Sequence, residues 1–317
     1  MSDPAIPGVL FSLANKAALA DRRWWDAATP IWVSAERQGL KSAAMYWPGS
    51  EVDIQGVRPT DWRVFDGNLP GDSRVDQVLD WLDRPLATRP DLITLHFNAV
   101  DRAGHRQGPQ GAETNAAIAS VDKSIGRLID GLKTRGLLTK TNLLIISDHG
   151  MAPISAQRVV VMDEMVDLSS VELLGRIGPL IGFTPRAGKE AEVRQRLSTR
   201  REHVQCWPKE ELPKRFDYGH NPRVPPFVCM ADTEWSLATR EALARNPPSG
   251  GNHGFDPVDD QMAALFIARG PAFQAGSQLQ SFANLDVYPL LAHLINIKPE
   301  PHQGRLDTFM PVLVAKP

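Results

Sequence analysis

Three short motifs in this chain of 317 residues each contain a histidine, and two of them also contain an aspartate. Asp101 and His105 form a D-x-x-x-H motif, Asp148 and His149 are adjacent, and His253 lies in an N-H-G motif. Imidazole nitrogen and carboxylate oxygen are the usual ligands of Zn²⁺ where no thiolate is present. Five such residues exceed what one tetrahedral zinc ion needs, so they predict a two-metal site. Such a site stabilises the attacking and leaving oxygens in phosphoryl transfer.

Each motif also has an ordinary structural explanation. Asp148 can cap a strand by accepting backbone N–H bonds while His149 packs on a loop. A histidine in a glycine-rich loop, such as His253, is often only solvated. The joint occurrence of the three motifs at compatible positions favours the metal site. The other histidines that have no such setting are His203, His220, His293 and His302.

The elements that must position these motifs follow an α/β pattern. The apolar runs at 92–97 and 142–147 predict strands just before the first two motifs, and residues 113–132 predict an amphipathic helix between them. Residues 263–268 predict a further strand and residues 285–295 a further helix. Strand–helix–strand order is typical of a parallel sheet buried on both faces, and such sheets bind ligands beyond the carboxyl ends of their strands.

Outside this pattern, the predictions are shorter or less regular. Residues 30–35 and 42–47 predict two short strands, and residues 73–82 predict a helix. Residues 153–250 are rich in proline and have weak helical periodicity. They predict an irregular insertion, with a small antiparallel sheet near residues 227–231, rather than a second domain.

Composition excludes several classes of protein. The chain has 35 basic and 37 acidic residues, a net charge of −2, which does not favour binding to a nucleic-acid polymer or a polybasic membrane role. No run of about 18 apolar residues is present, so no membrane span is predicted. Cys206 and Cys229 are too few for a disulfide scaffold. They could form one bridge or stay as free thiols.

Taken together, these motifs resemble the type I phosphodiesterase/nucleotide pyrophosphatase family of the alkaline phosphatase superfamily. The similarity extends from about Trp24 to Asp307 and depends on the segments PIWVSA, QGLKS, WPGS, DRAGHRQGP, SDHGM and HG. It implies a single catalytic domain of phosphodiesterase type over residues 1–317, truncated, with an insertion at about 153–250. The implied fold is α/β, with an alkaline-phosphatase-like, mostly parallel sheet flanked by helices and incomplete at the N-terminus.

The resemblance also implies a function and a ligand set. Members of the family are zinc-dependent hydrolases of nucleotide pyrophosphate or phosphodiester bonds, and they bind two Zn²⁺ ions. By this resemblance, Asp101, His105 and His253 bind one zinc ion, whereas Asp148 and His149 supply part of the other site. The expected partner is a nucleotide or another small phosphodiester.

The family's threonine nucleophile and one further zinc-ligand aspartate have no counterpart before Pro30. No catalytic nucleophile is therefore assigned, and we expect one firmly bound zinc ion and impaired turnover. Two alternatives are a non-catalytic metal- or nucleotide-binding remnant and a relative that acts on other phosphodiesters, phosphonates or sulfate esters. Relatives are periplasmic or extracellular, but no signal-peptide pattern is present, so the sequence as written predicts a cytoplasmic protein.

Two residues are expected to contact the substrate. In the family the nucleoside lies between aromatic side chains, and by this resemblance Phe65 forms one wall. His96 occupies a position, five residues before Asp101, that is often tyrosine. The alternative for Phe65 is simple burial in a loop.

Overall fold

The computed structural model describes residues 1–314, and the chain divides into two compact units. The first unit comprises residues 1–10, 99–118 and 149–265, and the second comprises residues 11–98, 119–148 and those from 266 onward. The segment predicted as an irregular insertion, 153–250, lies within the first unit. The single-domain interpretation of residues 1–317 stays a prediction.

The helices and strands are short apart from two helices. The α-helices are α1 Lys16–Ala20, α2 Ile31–Arg37, α3 Gly71–Leu82, α4 Ala99–Gln107, α5 Ala112–Thr134, α6 Glu190–Leu197, α7 Arg240–Arg245 and α8 Val287–Leu294. The strands are β1 Ser42–Met45, β2 Asp61–Trp62, β3 Leu92–Leu95, β4 Leu143–Ile146, β5 Ala152–Pro153, β6 Val159–Val161, β7 Val171–Leu174, β8 Ile177–Gly178, β9 Leu180–Pro185, β10 Val204–Pro208, β11 Phe227–Ala231, β12 Ser236–Ala238, β13 Gly251–Asn252 and β14 Phe266–Arg269.

The second unit contains a parallel sheet with β1 at its centre. Its strand order is β2-β1-β3, and both pairs are parallel. All four residues of β1 are buried, and three of them are small, which lets helices pack closely on the strand. The predicted strands at 42–47, 92–97, 142–147 and 263–268 are confirmed as β1, β3, β4 and β14, and the predicted helices as α3, α5 and α8.

One sequence prediction for the second unit is wrong. Residues 30–35 form the start of helix α2, in which Ser34 N–H donates to the Pro30 carbonyl at 3.1 Å. Residues 31–35 are all buried, and a short, mostly apolar run does not distinguish a buried strand from a buried helix. The pairing of β4 with β14 is antiparallel, which a mostly parallel sheet allows. Apolar periodicity does not predict this orientation, because it carries no information about strand direction.

The core of the second unit forms between α3, α5 and β1. Val75, Val78, Leu79 and Trp81 of α3 are buried, and Leu128 and Leu132 of α5 pack in the same cluster. Burying each of these large side chains stabilises the fold by about 1.5–3 kcal/mol. The apolar residues whose spacing predicts α3 and α5 are therefore the residues that pack in the core.

The first unit contains an antiparallel sheet with the order β10-β11-β9-β7. The prediction of antiparallel structure near residues 227–231 is confirmed, since these residues form β11. Cys206 on β10 faces Cys229 on β11, and the two form a disulfide, which decides between the alternatives that the sequence left open. No helix within residues 1–314 combines the length and apolarity needed to cross a bilayer.

Candidate metal centre

Helix α4 carries the first two predicted ligands. Asp101 lies in its first turn and His105 in its last turn, so the D-x-x-x-H spacing is an i, i+4 pair on one face of the helix. The carboxylate Oδ1 of Asp101 lies 3.3 Å from the Nε2 of His105. The sequence places this motif after a strand but does not predict the helix that aligns its two side chains.

A two-stranded ladder positions the histidines of the other motifs. Strand β13 pairs antiparallel with β5, with Asn252 opposite Ala152. His149 lies three residues before β5 and His253 directly follows β13, so the ladder brings two distant imidazoles together. Their rings stack with centroids 3.5 Å apart and an interplanar angle of 10°.

Three side chains from α4 and this ladder converge. Ligand atoms of Asp101, His105 and His253 all lie within 4.8 Å of one another. The Nε2 of His253 is 3.7 Å from Asp101 Oδ1. Tetrahedral zinc with bonds of about 2.1 Å places neighbouring ligand atoms about 3.4 Å apart. The separations of 3.3 and 3.7 Å fit that spacing.

The hydrogen bonds of the two imidazoles on either side of His253 fix which nitrogen carries the proton. The Nδ1 of His105 lies 3.0 Å from the Gly251 carbonyl oxygen, and the Nδ1 of His149 lies 2.8 Å from the Gly150 carbonyl oxygen. A carbonyl oxygen only accepts, so each Nδ1 is the donor, and in the neutral ring each Nε2 then carries a lone pair. This arrangement orients histidine ligands in metal sites.

The resulting cluster has more acceptors than donors. Asp101 Oδ1 is shielded from solvent, although the side chain as a whole is about half-exposed, and it has no hydrogen-bond donor among residues 1–314. The nearest ring nitrogens, Nε2 of His105 and Nε2 of His253, lie within ion-pair distance of it. A buried carboxylate oxygen without a donor is costly, and a bound cation satisfies it together with the imidazole lone pairs. The three residues therefore fit a divalent metal of the zinc class.

Glycine allows α4 and β13 to approach closely. Gly250 has φ +77°, and a Cβ atom there would lie 2.2 Å from the His105 carbonyl oxygen. At Gly251 a Cβ atom would lie 2.7 Å from the Gly104 carbonyl oxygen. Only residues without a side chain permit this contact. One of the two touching segments carries His105 and the other carries His253. The sequence gives no sign of this requirement because the partners are about 145 residues apart.

The remaining predicted residues belong to the second unit. Asp148 is exposed and follows β4. Phe65 lies between β2 and α3 and is 46% exposed, so the alternative of burial in a loop is wrong. His96 directly follows β3, and its ring centroid is 6.5 Å from that of Phe65. Tyr46 contacts Phe65, and Arg74 contacts His96. No sequence motif indicates either residue, although a charged residue on the apolar face of α3 is a signal for Arg74.

Comparison with known proteins gives one consistent result. The family model described as type I phosphodiesterase/nucleotide pyrophosphatase matches residues 1–256. The venom phosphodiesterase CdcPDE of Crotalus durissus collilineatus is 35% identical over 307 residues, which is 93% of this chain and 36% of the venom protein. An uncharacterised pyrophosphatase/phosphodiesterase of Schizosaccharomyces pombe is 36% identical over 92% of this chain and 62% of its own length. The chain thus spans less than two thirds of either relative.

A solved structure matches nearly the whole chain. Murine ectonucleotide pyrophosphatase/phosphodiesterase 5, in an inactive threonine-to-alanine variant in complex with AMP, aligns with a TM-score of 0.91 and 32% identity. The match covers 99% of this chain and 82% of the murine chain. The α/β, alkaline-phosphatase-like fold predicted from the sequence is confirmed by this similarity.

Proposed function

Because this chain belongs to the type I phosphodiesterase/nucleotide pyrophosphatase family, we propose that it hydrolyses a nucleotide or a related small phosphodiester and releases a nucleoside monophosphate. The observation that carries the proposal is the convergence of Asp101, His105 and His253. Phosphoryl transfer needs concentrated positive charge at the phosphate oxygens, and this cluster of acceptors is suited to hold the cation that supplies it.

The proposed metal is zinc, held by Asp101, His105 and His253, while Asp148 and His149 supply part of a second site. Bound zinc acts as a Lewis acid on the phosphate oxygens. The protein contributes orientation: the Gly251 carbonyl fixes the ring of His105, and helix α4 holds Asp101 one turn away. We expect the site formed by Asp101, His105 and His253 to bind its ion more firmly, because it has three protein ligands.

Turnover by this chain alone is proposed to be slow. No residue among the 317 matches the family's threonine nucleophile, and the murine relative described above is inactive when a single threonine is replaced by alanine. A covalent step through a side-chain oxygen therefore has no assigned residue. Nucleotide binding without turnover is the competing function. It is favoured by the same lack of a residue that matches the threonine nucleophile.

An activity assay tests the proposal. Purified chain is incubated with zinc and p-nitrophenyl thymidine monophosphate, and nitrophenol release is followed. We expect slow release that is lost in His105→Ala and His253→Ala, with His220→Ala, an exposed histidine of the same unit, as the matched control. Equal rates in all four proteins would contradict a role for the cluster. Rates typical of an intact family enzyme would contradict the proposed impairment.

Metal analysis after dialysis tests the zinc content separately. The proposal expects about one zinc ion per chain, lost in Asp101→Asn. Two firmly held ions per chain would show that Asp148 and His149 need no further ligand. AMP binding with no detectable nitrophenol release would support the binding function in place of the hydrolase.

The compartment is proposed from the disulfide. A Cys206–Cys229 bridge persists in oxidising surroundings and is rare in the cytosol. It therefore favours an extracytoplasmic protein over the cytoplasmic location that the sequence as written predicts. Thiol titration of chain purified from periplasm and from cytosol distinguishes the two: protection of both thiols only in the periplasmic sample supports the proposal. Free thiols in both samples would contradict it.

A further inference from the structure

A buried guanidinium in the second unit lies close to Tyr46 and His96. Arg74, in the first turns of α3, is 3% exposed. No carboxylate within residues 1–314 lies within ion-pair distance of it, although the more distant carboxylate of Asp66 favours its charge. A buried charge without a close counter-ion is costly unless several acceptors surround it, so its contacts indicate what it is for.

Those contacts all go to segments that carry or flank Phe65 and His96. Arg74 Nη1 donates to the His96 carbonyl oxygen at 2.8 Å, and Nη2 donates to Oδ1 of Asn98 at 2.9 Å. Its Nε donates to the Leu69 carbonyl oxygen at 3.0 Å. The guanidinium carbon also lies 5.0 Å from the centre of the Tyr46 ring. One planar group thus joins the segment after β1, the segment before α3 and the segment after β3.

Tyr46 links this guanidinium to Phe65. Its backbone has φ +68°, a left-handed conformation that is strained for tyrosine, and its side chain is 6% exposed. The rings of Tyr46 and Phe65 meet edge to face, with centroids 5.4 Å apart and an angle of 74°. Phe65 itself remains 46% exposed. The buried tyrosine therefore packs against a phenylalanine ring that is itself about half-exposed.

His96 is held from both sides of its backbone. Its N–H donates to the Met45 carbonyl at 3.0 Å, which continues the pairing of β3 with β1. Its carbonyl accepts from Arg74. The spacing of 6.5 Å between the rings of Phe65 and His96 consequently depends on the guanidinium at both ends, directly at His96 and through Tyr46 at Phe65.

We propose that Arg74 is a positioning residue that holds Phe65 and His96 as a wall on which a nucleobase stacks. The inference rests on the proposed nucleotide function, since a substrate without a base would not use such a wall. Aromatic side chains stack on any base, so the wall provides affinity for nucleosides as a class. Lysine would not replace arginine here, because a single ammonium does not present a planar fork to several acceptors and to a ring at once.

Binding of AMP and of ribose 5-phosphate, measured by calorimetry, tests the role. The two ligands share sugar and phosphate and differ by the base. For Arg74→Met we expect AMP affinity to fall at least about fivefold, the lower end of one base-stacking contact, with ribose 5-phosphate affinity unchanged. Arg74→Lys is expected to lose part of the preference for AMP over ribose 5-phosphate. Arg63→Met is the matched control, because Arg63 also lies over an aromatic ring in this unit but touches neither Phe65 nor His96.

The outcomes separate this inference from the function on which it rests. Unmutated chain that binds AMP no more tightly than ribose 5-phosphate would contradict both. A preference for AMP that survives in Arg74→Met and Arg74→Lys would overturn only the role of Arg74. Equal loss of both ligands in the variants would indicate general destabilisation and would also overturn it. If Arg74→Met does not fold, as judged by its melting curve, the AMP preference of Arg74→Lys decides.

Discussion

Replacement of Gly250 by alanine should separate the two segments that carry His105 and His253. In the native backbone the new Cβ atom would lie 2.2 Å from the His105 carbonyl oxygen and 2.8 Å from that of Arg106. Both neighbours are main-chain atoms, so no flexible side chain can move aside. The ladder strand β13 must shift away from α4, or α4 must shift away from the ladder.

The size of the shift follows from these distances. Real Cβ atoms do not approach other heavy atoms closer than 3.0 Å, so the segments must separate by about 0.8 Å (3.0 − 2.2). Metal–ligand distances tolerate changes of about 0.2 Å. We therefore expect zinc affinity to fall by at least about tenfold. The left-handed φ of +77° adds a strain of about 1–2 kcal/mol for alanine.

Gly188→Ala separates strain from displacement. Gly188 lies in the same unit and has φ +78°, but its added Cβ would meet nothing within 4 Å. Zinc affinity is measured for both variants by competition with a fluorescent chelator, and stability by urea unfolding. Both should lose stability from strain, whereas only Gly250→Ala should lose zinc affinity. Equal zinc affinity in the two variants would show that the close contact of α4 with β13 does not set the metal geometry.

Three further perturbations have expected results. Serine at both Cys206 and Cys229 should lower the free energy of unfolding by about 3 kcal/mol in a urea titration, because the bridge closes a loop of 23 residues. Hydrogen bonds from Arg215 lower the pKa of Asp256, so this pair stabilises the fold above about pH 4 and less as the pH falls. The stability difference between the unmutated chain and Asp256→Asn should therefore be largest near neutral pH and should shrink as the pH falls toward about 2. Zinc at 100 times its dissociation constant should add about 2.7 kcal/mol to stability, measured with and without chelator, and His105→Ala should abolish this gain.

Local patterns in the sequence predict much of the second unit. The stripe Val75, Val78 and Leu79 predicts α3 because burial on one face of a helix needs that spacing. The same argument predicts α5. It fails at residues 31–35, where every residue is buried and the apolar run has no period, so helix and strand give the same pattern. It also gives no direction for β4, whose antiparallel partner β14 lies more than 100 residues further along the chain.

The candidate site also has features that the sequence predicts and features that only the structure shows. The residue types Asp101, His105 and His253 are visible in the sequence, and the resemblance to the family groups them. The i, i+4 spacing also contains the information that Asp101 and His105 share a helical face, although the glycine at 104 argues against a helix. By contrast, the bond from His105 to Gly251 depends on how two remote segments pack, and only a three-dimensional structure reveals it.

Two ligands on one helix do not by themselves make a specific metal site. An i, i+4 pair is available wherever α4 forms, and its two side chains leave half of a tetrahedral ion uncoordinated. The third ligand, His253, comes from a segment held against the helix by Gly250 and Gly251, with no side chain between the two backbones. The same contact supplies the carbonyl that orients His105. We therefore expect metal affinity at the proposed site to depend on glycines that bear no ligand atom, and substitutions there should be as damaging as substitutions of the proposed ligands themselves.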